Sequence, residues 1–358
     1  MAYEVDILAV GEDSKSGDAI VLRFGNFIAD PSDQRVVVID GGFRASGEKL
    51  VESIQKYYGT DHVDLVISTH PDADHINGLH VVLEKLRVGE LWMHTPWNIS
   101  EDVKKIAEDR GFDPLGSSNK LKKSLQAAYD LEKLANENGI PIVEPFQGTS
   151  KFNHSIHVLG PSLDYYFELA ANIDGSTQGS PLRSLMAKAK ILINELWDED
   201  KLVDPADNAV SPRNNSSVIT LVRIEDTFLF VGDGGVPAIT RAADYADAMP
   251  YSLASNVRFQ HIPHHGSKRN LGPTILNRIV GPILPRGQEI PKTAMISAAP
   301  DHPKHPSQRV KNALKRRGVK VAETRGIHHC YHSEDVPIRQ GWGPITYAEY
   351  CETYEEED

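Results

Sequence analysis

The sequence predicts an α/β fold, because apolar runs typical of buried strands alternate with an amphipathic helix. Residues 35–42 form one such run, which ends in Asp-Gly-Gly, and residues 65–67 form another; both have the character of strands buried on both faces. Residues 46–58, between them, have the spacing of an amphipathic helix. The chain has 358 residues, 40% of them hydrophobic, so it can bury a large core. The alternation predicts the fold class without selecting one architecture within it.

The remaining elements follow from the same patterns. Further strands are predicted at residues 5–10, 19–24, 90–93, 140–145, 156–159, 218–223, 228–231, 257–260, 293–298 and 319–324. Two segments interrupt this order with a charged, helical pattern, at about residues 98–138 and 163–205. We interpret residues 1–345 as one domain with two helical insertions, which are candidates for shaping access to a site or for binding a protein partner.

The charge pattern limits the possible ligands. A net charge of −12 argues against a surface broadly adapted to duplex DNA, although a local basic groove is compatible with it. Residues 352–358 are almost all acidic, so residues 346–358 are predicted to be a solvated acidic tail. The most basic stretch is residues 308–317, which we interpret as a solvated helix face, with nucleic-acid contact as the alternative.

The chain also lacks the patterns of exported or membrane proteins. Its N-terminus has no basic segment followed by an apolar one, and no apolar run reaches the ~20 residues that span a bilayer. Cys330 and Cys351 are too few to form a disulfide framework. These observations predict a cytoplasmic protein with no membrane partner.

The stretch richest in potential chemistry is residues 68–78, which follow the apolar run at 65–67. It contains His70, Asp72, Asp74 and His75 within six residues. Where a strand runs out into a loop, alternate side chains can converge on one pocket, which brings His70, Asp72 and Asp74 together. The competing interpretation is a surface loop that uses Asp and His as turn or cap residues. A mixed set of imidazole and carboxylate donors favours a divalent metal ion in the range from zinc to manganese.

Three segments, in this order, resemble the metallo-beta-lactamase superfamily. His70-Pro-Asp-Ala-Asp-His75 is similar to its signature loop, in the variant with Asp in place of the second His that is typical of ComEC-type DNA-uptake proteins. The strand at residues 228–231 is followed by Gly232-Asp233, and residues 261–268 resemble the family's His-His-Gly-Ser segment. The resemblance implies an αββα four-layer sandwich with helical insertions and with the metal site at one edge of two mixed sheets.

The resemblance also implies how the donors divide between two divalent ions. The ions would be manganese or zinc first, with magnesium possible, and one ion alone is not excluded. A first ion would be held by His70, Asp72 and a bridging Asp233. A second ion would be held by Asp74, His75, Asp233 and one of the two adjacent residues His264 and His265, of which we favour His264. Asp74 would also orient or deprotonate the attacking water.

The sequence departs from the family at the first ion. The Pro-Gly-His that usually supplies a third imidazole is absent after the strand at 156–159. His154 and His157 lie nearby, but they precede or fall within that strand, so we interpret both as structural. The first ion therefore lacks its usual third imidazole.

Further candidates surround these donors. Asp40 lies where family members support the metal loop from behind, and a plain turn residue is the equal alternative. His305 lies at a family position that faces the active site, which gives it a candidate acid–base or substrate role. Short polar side chains and one ammonium are candidates for substrate binding: Asn214, Asn215, Ser217, Ser267 and Lys268.

The resemblance implies metal-dependent hydrolysis, and its ComEC-type form implies a phosphodiester substrate, with DNA first. The alternative substrate is a small phosphodiester, such as a cyclic nucleotide or a phosphocholine ester, which an acidic surface fits better. A further alternative is a non-catalytic regulatory or interaction module, against which the intact Asp74, His75 and Asp233 argue. Fold resemblance alone does not decide between substrates.

Overall fold

The computed structural model describes residues 1–11, 15–97, 125–170, 172 and 190–357. Its strands and helices are numbered here in chain order. The first of two large sheets has the strand order β17-β1-β2-β3-β5-β7-β8. Its members are β1 (Ala2–Ile7), β2 (Ala19–Gly25), β3 (Gln34–Gly41), β5 (Leu65–Ile67), β7 (Leu91–Trp92), β8 (Ile142–Val143) and β17 (His329–His332). The sheet is mixed: β1, β2, β3 and β17 pair antiparallel, whereas β3, β5, β7 and β8 pair parallel.

The second large sheet has the order β16-β15-β14-β13-β12-β10-β9. Its members are β9 (Ser150–Lys151), β10 (Ile156–Gly160), β12 (Ile219–Arg223), β13 (Thr227–Phe230), β14 (Phe259–His261), β15 (Thr293–Ile296) and β16 (Lys320–Glu323). Like the first sheet, it is antiparallel in one half and parallel in the other. Strands β9, β10, β12 and β13 pair antiparallel, whereas β13, β14, β15 and β16 pair parallel. Two small ribbons complete the strands: β4 (His62–Val63) with β6 (Arg87–Val88), and β11 (Lys190–Asn194) with β18 (Thr353–Glu357).

The helices cover the outer faces of the two sheets. They are α1 (Arg44–Ser53, continued by a π-helical turn at Ile54–Tyr58), α2 (Ala73–Lys85), α3 (Gln126–Glu137), α4 (Leu163–Ala170), α5 (Pro212–Asn215), α6 (Val236–Ala248), α7 (Leu253–Asn256), α8 (Pro273–Ile279) and α9 (Gln308–Arg316), with a 3₁₀ turn at Pro263–Gly266. Helices α1 to α3 pack on the first sheet, and α6, α8 and α9 pack on the second. No helix in the described ranges is long and apolar enough to cross a membrane.

The two sheets pack face to face, and side-chain alternation along the strands explains why. In β2, Ile20 and Leu22 point into the core between the sheets, whereas Val21 points outward to the helices. In β13, Phe228 and Phe230 fill the same inner core and Leu229 packs under the outer helices. Three separate apolar layers therefore alternate with two sheets, which confirms the predicted αββα sandwich.

The strand ends place the candidate site. Asp40 lies at the end of β3, and Thr69 and His70 follow β5 directly. In the second sheet, Asp233 follows β13 and the 3₁₀ turn with His265 follows β14. Each of these four strands takes part in a parallel pairing, and their carboxyl ends meet at one edge of the sandwich.

The two predicted insertions are only partly described. Residues 98–124, 171 and 173–189 lie outside the described ranges, and within the first insertion α3 confirms a helix at Gln126–Glu137. The second was predicted to be helical throughout, but β11 is a strand at Lys190–Asn194. The reason is non-local, because β11 pairs with β18 from the other end of the chain.

The predicted acidic tail is also different in the structure. Thr353–Glu357 forms β18 instead of a solvated tail, and Glu356 accepts a hydrogen bond from the Gln308 backbone N–H and pairs with Arg309. Acidic composition alone could not show that these carboxylates have cationic and strand partners.

The basic stretch at 308–317 is not a solvated face. Arg316 and Arg317 are only 0% and 1% exposed, and Lys311 pairs with Glu323 on β16. Most of the positive charge of this stretch is therefore buried or paired within the protein. It does not support the alternative of nucleic-acid contact at α9.

Candidate metal centre

The metal loop connects β5 to α2, and the packing of α2 fixes where it lies. Asp74 and His75 occupy the first turn of α2, and Asp72 precedes that helix without a side-chain capping hydrogen bond. A Cβ on Gly78 would stand 1.9 Å from the carbonyl oxygen of Gly41, so only glycine lets α2 lie this close to the end of β3. Asp72 is thus not used as a cap, contrary to the surface-loop interpretation.

The donors predicted for the second ion converge. Ligand atoms of Asp74, His75 and His265 lie within 4.8 Å of one another, and Asp233 Oδ1 lies 3.5 Å from His75 Nε2. We call these four residues the second-ion group. Among the described residues, His75 Nε2, His265 Nε2 and Asp233 Oδ1 are buried and have no hydrogen-bond partner. Three unpartnered atoms that face one point fit a cation, because a buried polar atom otherwise needs a hydrogen bond.

Asp40 orients two of the imidazoles. Its Oδ2 lies 2.8 Å from His75 Nδ1 and accepts a 2.5 Å hydrogen bond from the Thr69 hydroxyl. The Thr69 oxygen in turn lies 3.0 Å from His70 Nδ1. In both rings Nδ1 therefore faces an oxygen, which leaves Nε2 directed at the centre, where it can bind a cation in its deprotonated form. Asp40 therefore lies where it can support the metal loop. Thr69, which the sequence analysis did not single out, connects Asp40 to His70 through hydrogen bonds.

Of the two adjacent histidines, His265 is the one that faces the ion. Its Nδ1 donates a 2.9 Å hydrogen bond to the Ser297 carbonyl, which leaves Nε2 as a donor 3.7 Å from Asp74 Oδ2. His264 was favoured from the sequence, but its Nδ1 lies 3.2 Å from Asn214 Nδ2, an N–H donor. Because Nδ1 accepts from this N–H, Nε2 carries a ring proton. The geometry therefore favours His265, whereas His264 Nε2 lies 3.8 Å from Asp233 Oδ2, and which of the two binds the ion stays a prediction.

The backbone explains the switch. His264 and His265 both have positive φ, +47° and +57°, within the 3₁₀ turn at Pro263–Gly266. A left-handed conformation is unfavourable for residues with a Cβ, and with two in succession the alternation of a regular strand no longer decides which side chain faces the centre. Asp40, with φ +55°, is a third strained residue at this centre.

Three hydrogen bonds hold Asp233 in position. Its backbone N–H donates to Ser217 Oγ at 3.1 Å, and its carbonyl accepts from Asn270 Nδ2 at 2.8 Å. Its Oδ2 accepts from Asn214 Nδ2 at 3.2 Å. Burial alone would raise the pKa of the Asp233 carboxyl, but the neighbouring imidazoles, His264 first and then His75, hold it well below its usual value. Asp233 is therefore ionised.

The first-ion group consists of His70, Asp72 and Asp233, and its His70 Nε2 is also buried without a hydrogen-bond partner among the described residues. His70 Nε2 lies 3.9 Å from Asp72 Oδ2 and 3.7 Å from Asp233 Oδ2. Arg213 approaches from the other side, with its Nη1 3.7 Å from Asp72 Oδ1. His154 lies beside Ser150 and His157 stacks on Tyr245, so neither supplies a third imidazole.

Asp18 is a residue of the centre that sequence analysis missed. It is 1% exposed, its Oδ1 accepts from His261 Nε2 at 3.0 Å, and its Oδ2 lies 3.7 Å from His75 Nδ1. Burial would raise the pKa of Asp18, but the positive side chains, His261 first, hold it below its usual value. The Gly-Asp-Ala segment before β2 contains Asp18, but the sequence does not show that its carboxylate reaches two imidazoles.

The electrostatics of the centre also fit a cation. Burial alone would lower the pKa of His75, yet the surrounding carboxylates, of which Asp233 acts most strongly, raise it well above its usual value. Asp18, Asp40 and Asp233 are each no more than 3% exposed. Several buried carboxylates are stable together only when positive charge compensates them.

The substrate-binding candidates divide into two kinds. Asn214 lies at the centre, between Asp233 and His264. Asn215 accepts a hydrogen bond from the Gly235 N–H, Ser217 accepts from Asp233, and Ser267 accepts from the Arg269 N–H. These last three hold the backbone of their loops, which corrects the substrate role predicted for them. Lys268 follows on the same loop and is half-buried.

His305 lies at the rim of the centre. Its ring centroid is 5.8 Å from that of His264, and its buried Nδ1 has no hydrogen-bond partner among the described residues. Burial, and then His302, lower its pKa to about 3. At neutral pH the ring is uncharged, and a pKa this far below neutral also makes it a weak base, which leaves the predicted substrate role, as a hydrogen-bond partner.

Sequence comparison identifies the family. The profile of the metallo-beta-lactamase superfamily matches residues 26–283, which hold the metal loop, Asp233 and both histidines of the 3₁₀ turn. The chain belongs to this superfamily. Its ComEC-type branch stays a prediction. Among curated proteins, no relative matches the chain.

Several solved structures of metallo-beta-lactamase superfamily proteins are similar to the chain at low identity. A protein from Thermotoga maritima described as a metallo-beta-lactamase is 14% identical, covers 70% of this chain and 86% of its own, and has a TM-score of 0.33. A diphosphatase from the PhnP family is 9% identical, with coverages of 93% and 98% and a TM-score of 0.37. A metallo-beta-lactamase from Hirschia baltica is 14% identical, with coverages of 77% and 96% and a TM-score of 0.30. At these scores, the reactions of those proteins imply nothing about this one.

The support from Asp40 can be tested directly. Asparagine keeps the shape of Asp40 and tolerates its positive φ, but it lacks the charge that fixes both imidazoles. We expect Asp40→Asn to weaken manganese or zinc binding by ~10- to 100-fold, measured by titration calorimetry. Asp61→Asn, at a surface carboxylate paired with Arg87, is the matched control. Equal affinities in the two variants would contradict the role of Asp40.

Proposed function

We propose that this superfamily member is a metal-dependent phosphodiesterase, and that DNA is its first candidate substrate. The observation that carries this proposal is the second-ion group, with the Arg213 guanidinium next to it, where Nη1 lies 3.7 Å from Asp72 Oδ1. Lys268 and Lys304 are close in sequence to the 3₁₀ turn and to His305. Ammonium and guanidinium groups around a metal centre match the oxygens of a phosphate better than they match a neutral amide or ester.

The residues of the centre can share the work of hydrolysis. A divalent ion held by Asp74, His75, His265 and Asp233 would supply Lewis-acid chemistry and would make a water available as a nucleophile at neutral pH. Asp74, whose side chain is 31% exposed, is open to the solvent side and can accept a proton from the attacking water. His264 presents an N–H on Nε2, and its side chain is 36% exposed, so it can donate to a phosphoryl oxygen.

A small phosphodiester is the second candidate, and a specific observation favours it. A nuclease needs a basic track that leads away from the centre along the bound strand. Helix α9, the most basic stretch of the sequence, has Arg316 and Arg317 buried and Lys311 paired. The positive charge described at the rim is therefore local, which suits a short substrate or the end of a strand.

The test compares substrates and ions in one series. Linear single-stranded DNA, linear duplex DNA, a cyclic nucleotide and bis(p-nitrophenyl) phosphate are each incubated with manganese, zinc or magnesium. We expect ion-dependent hydrolysis in the wild type and its loss in Asp74→Ala, with Asp61→Ala as the surface control. Cleavage of the small esters alone would select the second candidate. No cleavage of any phosphodiester with any ion would show that the proposal is wrong.

A further inference from the structure

The two halves of the centre differ in how their donor atoms are already used. In the second-ion group, Asp233 Oδ1 and the Nε2 atoms of His75 and His265 have no hydrogen-bond partner among the described residues. In the first-ion group, His70 Nε2 is also buried without a hydrogen-bond partner among the described residues, but Asp233 Oδ2 already accepts from Asn214, and Asp72 faces Arg213. The three buried ligand atoms of the second-ion group thus meet no competing donor, whereas two of the three residues of the first-ion group already interact with one.

Arg213 changes the electrostatics of the first-ion half. A guanidinium has only N–H donors and keeps its proton in proteins, so it cannot act as a metal ligand. Its Nη1 lies 3.7 Å from Asp72 Oδ1, and its side chain is 30% exposed, as is that of Asp72. An ion bound by Asp72 would share this carboxylate with a fixed positive charge, which repels it at a distance of a few ångströms. The third imidazole that would offset this repulsion is absent.

Asn214 contributes a second donor next to Arg213 on the short helix α5. Its Oδ1 accepts a hydrogen bond from the Ser211 hydroxyl at 2.5 Å, which fixes the orientation of the amide and directs Nδ2 toward the centre. From there Nδ2 lies 3.2 Å from both Asp233 Oδ2 and His264 Nδ1. His264 consequently presents its Nε2–H. Three N–H donors therefore line the first-ion half: the Arg213 guanidinium, the Asn214 amide and the His264 imidazole.

We propose that this chain binds one divalent ion tightly, in the second-ion group, and that Arg213 forms an anion subsite in the first-ion half, where a phosphoryl oxygen of the substrate binds. Asn214 and His264 are the neutral donors of this subsite. A guanidinium binds phosphate through parallel hydrogen bonds and adds the charge that a second ion would otherwise supply. The phosphate part rests on the proposed function, but the number of ions does not.

The number of ions is tested first, on the full chain. The protein is loaded with excess manganese or zinc and dialysed, and the metal content is measured by mass spectrometry together with a calorimetric titration. We expect one tightly bound ion per chain. Asp72→Asn should still bind that ion, whereas His75→Ala should lose it. Two tightly bound ions in the wild type, or loss of the tight ion in Asp72→Asn, would overturn the inference.

The anion subsite is tested with inorganic phosphate on the loaded protein, so that no turnover is needed. We expect Arg213→Ala to weaken phosphate binding by at least ~10-fold without changing the metal content, and Arg213→Lys to restore part of it. Arg87→Ala, at an exposed arginine, is the matched control. Phosphate affinity that is equal in Arg213→Ala and the control would overturn the subsite.

These readouts separate the two proposals. A chain with one ion and Arg213-dependent phosphate binding that hydrolyses no phosphodiester would refute the proposed function and support the subsite. A chain that hydrolyses phosphodiesters with two tightly bound ions would support the function and overturn the subsite.

Discussion

His265→Ala is expected to remove tight metal binding and to lower hydrolysis by at least ~10³-fold, because an ion in such a centre contributes several kcal/mol to the transition state. His265 has its Nδ1 held by the Ser297 carbonyl and its Nε2 directed at Asp74. It is also 4% exposed, so no water can replace the lost imidazole without rearrangement. Metal content after dialysis and the rate of phosphodiester hydrolysis measure the two effects.

The neighbouring residue gives an unusually close control. His264→Ala removes an imidazole of the same size and the same positive φ, but this imidazole is bonded to Asn214 and does not face the ion. We therefore expect His264→Ala to retain the ion and to lower the rate only through the loss of a hydrogen-bond donor. If His264→Ala loses the ion and His265→Ala retains it, the assignment made from the geometry is reversed.

These two histidines also mark where sequence reasoning ends. The donors of residues 70–75 were predictable because they are close in sequence, and Asp233 was predictable because residues 228–233 resemble the family's strand that ends in Gly-Asp. The choice between His264 and His265 was not, because it depends on two residues with positive φ. Thr69 and Asp18 were missed for another reason: each acts on an imidazole through a hydrogen bond or charge that no local pattern encodes.

The αββα sandwich was predictable only through the family resemblance, because strand alternation and helix spacing are local signals that predict the α/β class without selecting an architecture. The ribbon of β11 and β18 was not, because its strands lie more than 150 residues apart and pair only in the folded chain. The same limit applies to charge. The sequence shows basic residues on α9 and acidic residues near the C-terminus, but it does not show that they meet.

Arg316→Met is therefore expected to have the largest effect on stability, lowering the free energy of unfolding by ~3–5 kcal/mol. Arg316 and Glu195 form an ion pair in which both side chains are 0% exposed. The same guanidinium donates to the carbonyls of Trp197 and Leu196 at 2.7 and 2.6 Å and to the Tyr350 hydroxyl at 2.7 Å. Removing it leaves a buried carboxylate without its cation, and this uncompensated charge, more than the lost contact, is the cause of the destabilisation.

Urea unfolding of the full chain measures the effect, and two further variants isolate its cause. Arg87→Met removes a guanidinium of the same size from a pair whose side chains are 72% and 58% exposed, and it should leave stability nearly unchanged. The double variant Arg316→Met with Glu195→Leu removes both charges, so it should recover much of the loss. A double variant as unstable as Arg316→Met would show that the destabilisation comes from the lost hydrogen bonds to the backbone carbonyls and not from the uncompensated Glu195 carboxylate. An Arg316→Met variant as stable as Arg87→Met would mean that Arg316 is in contact with water, and the buried pair between α9 and the ribbon would then be wrong.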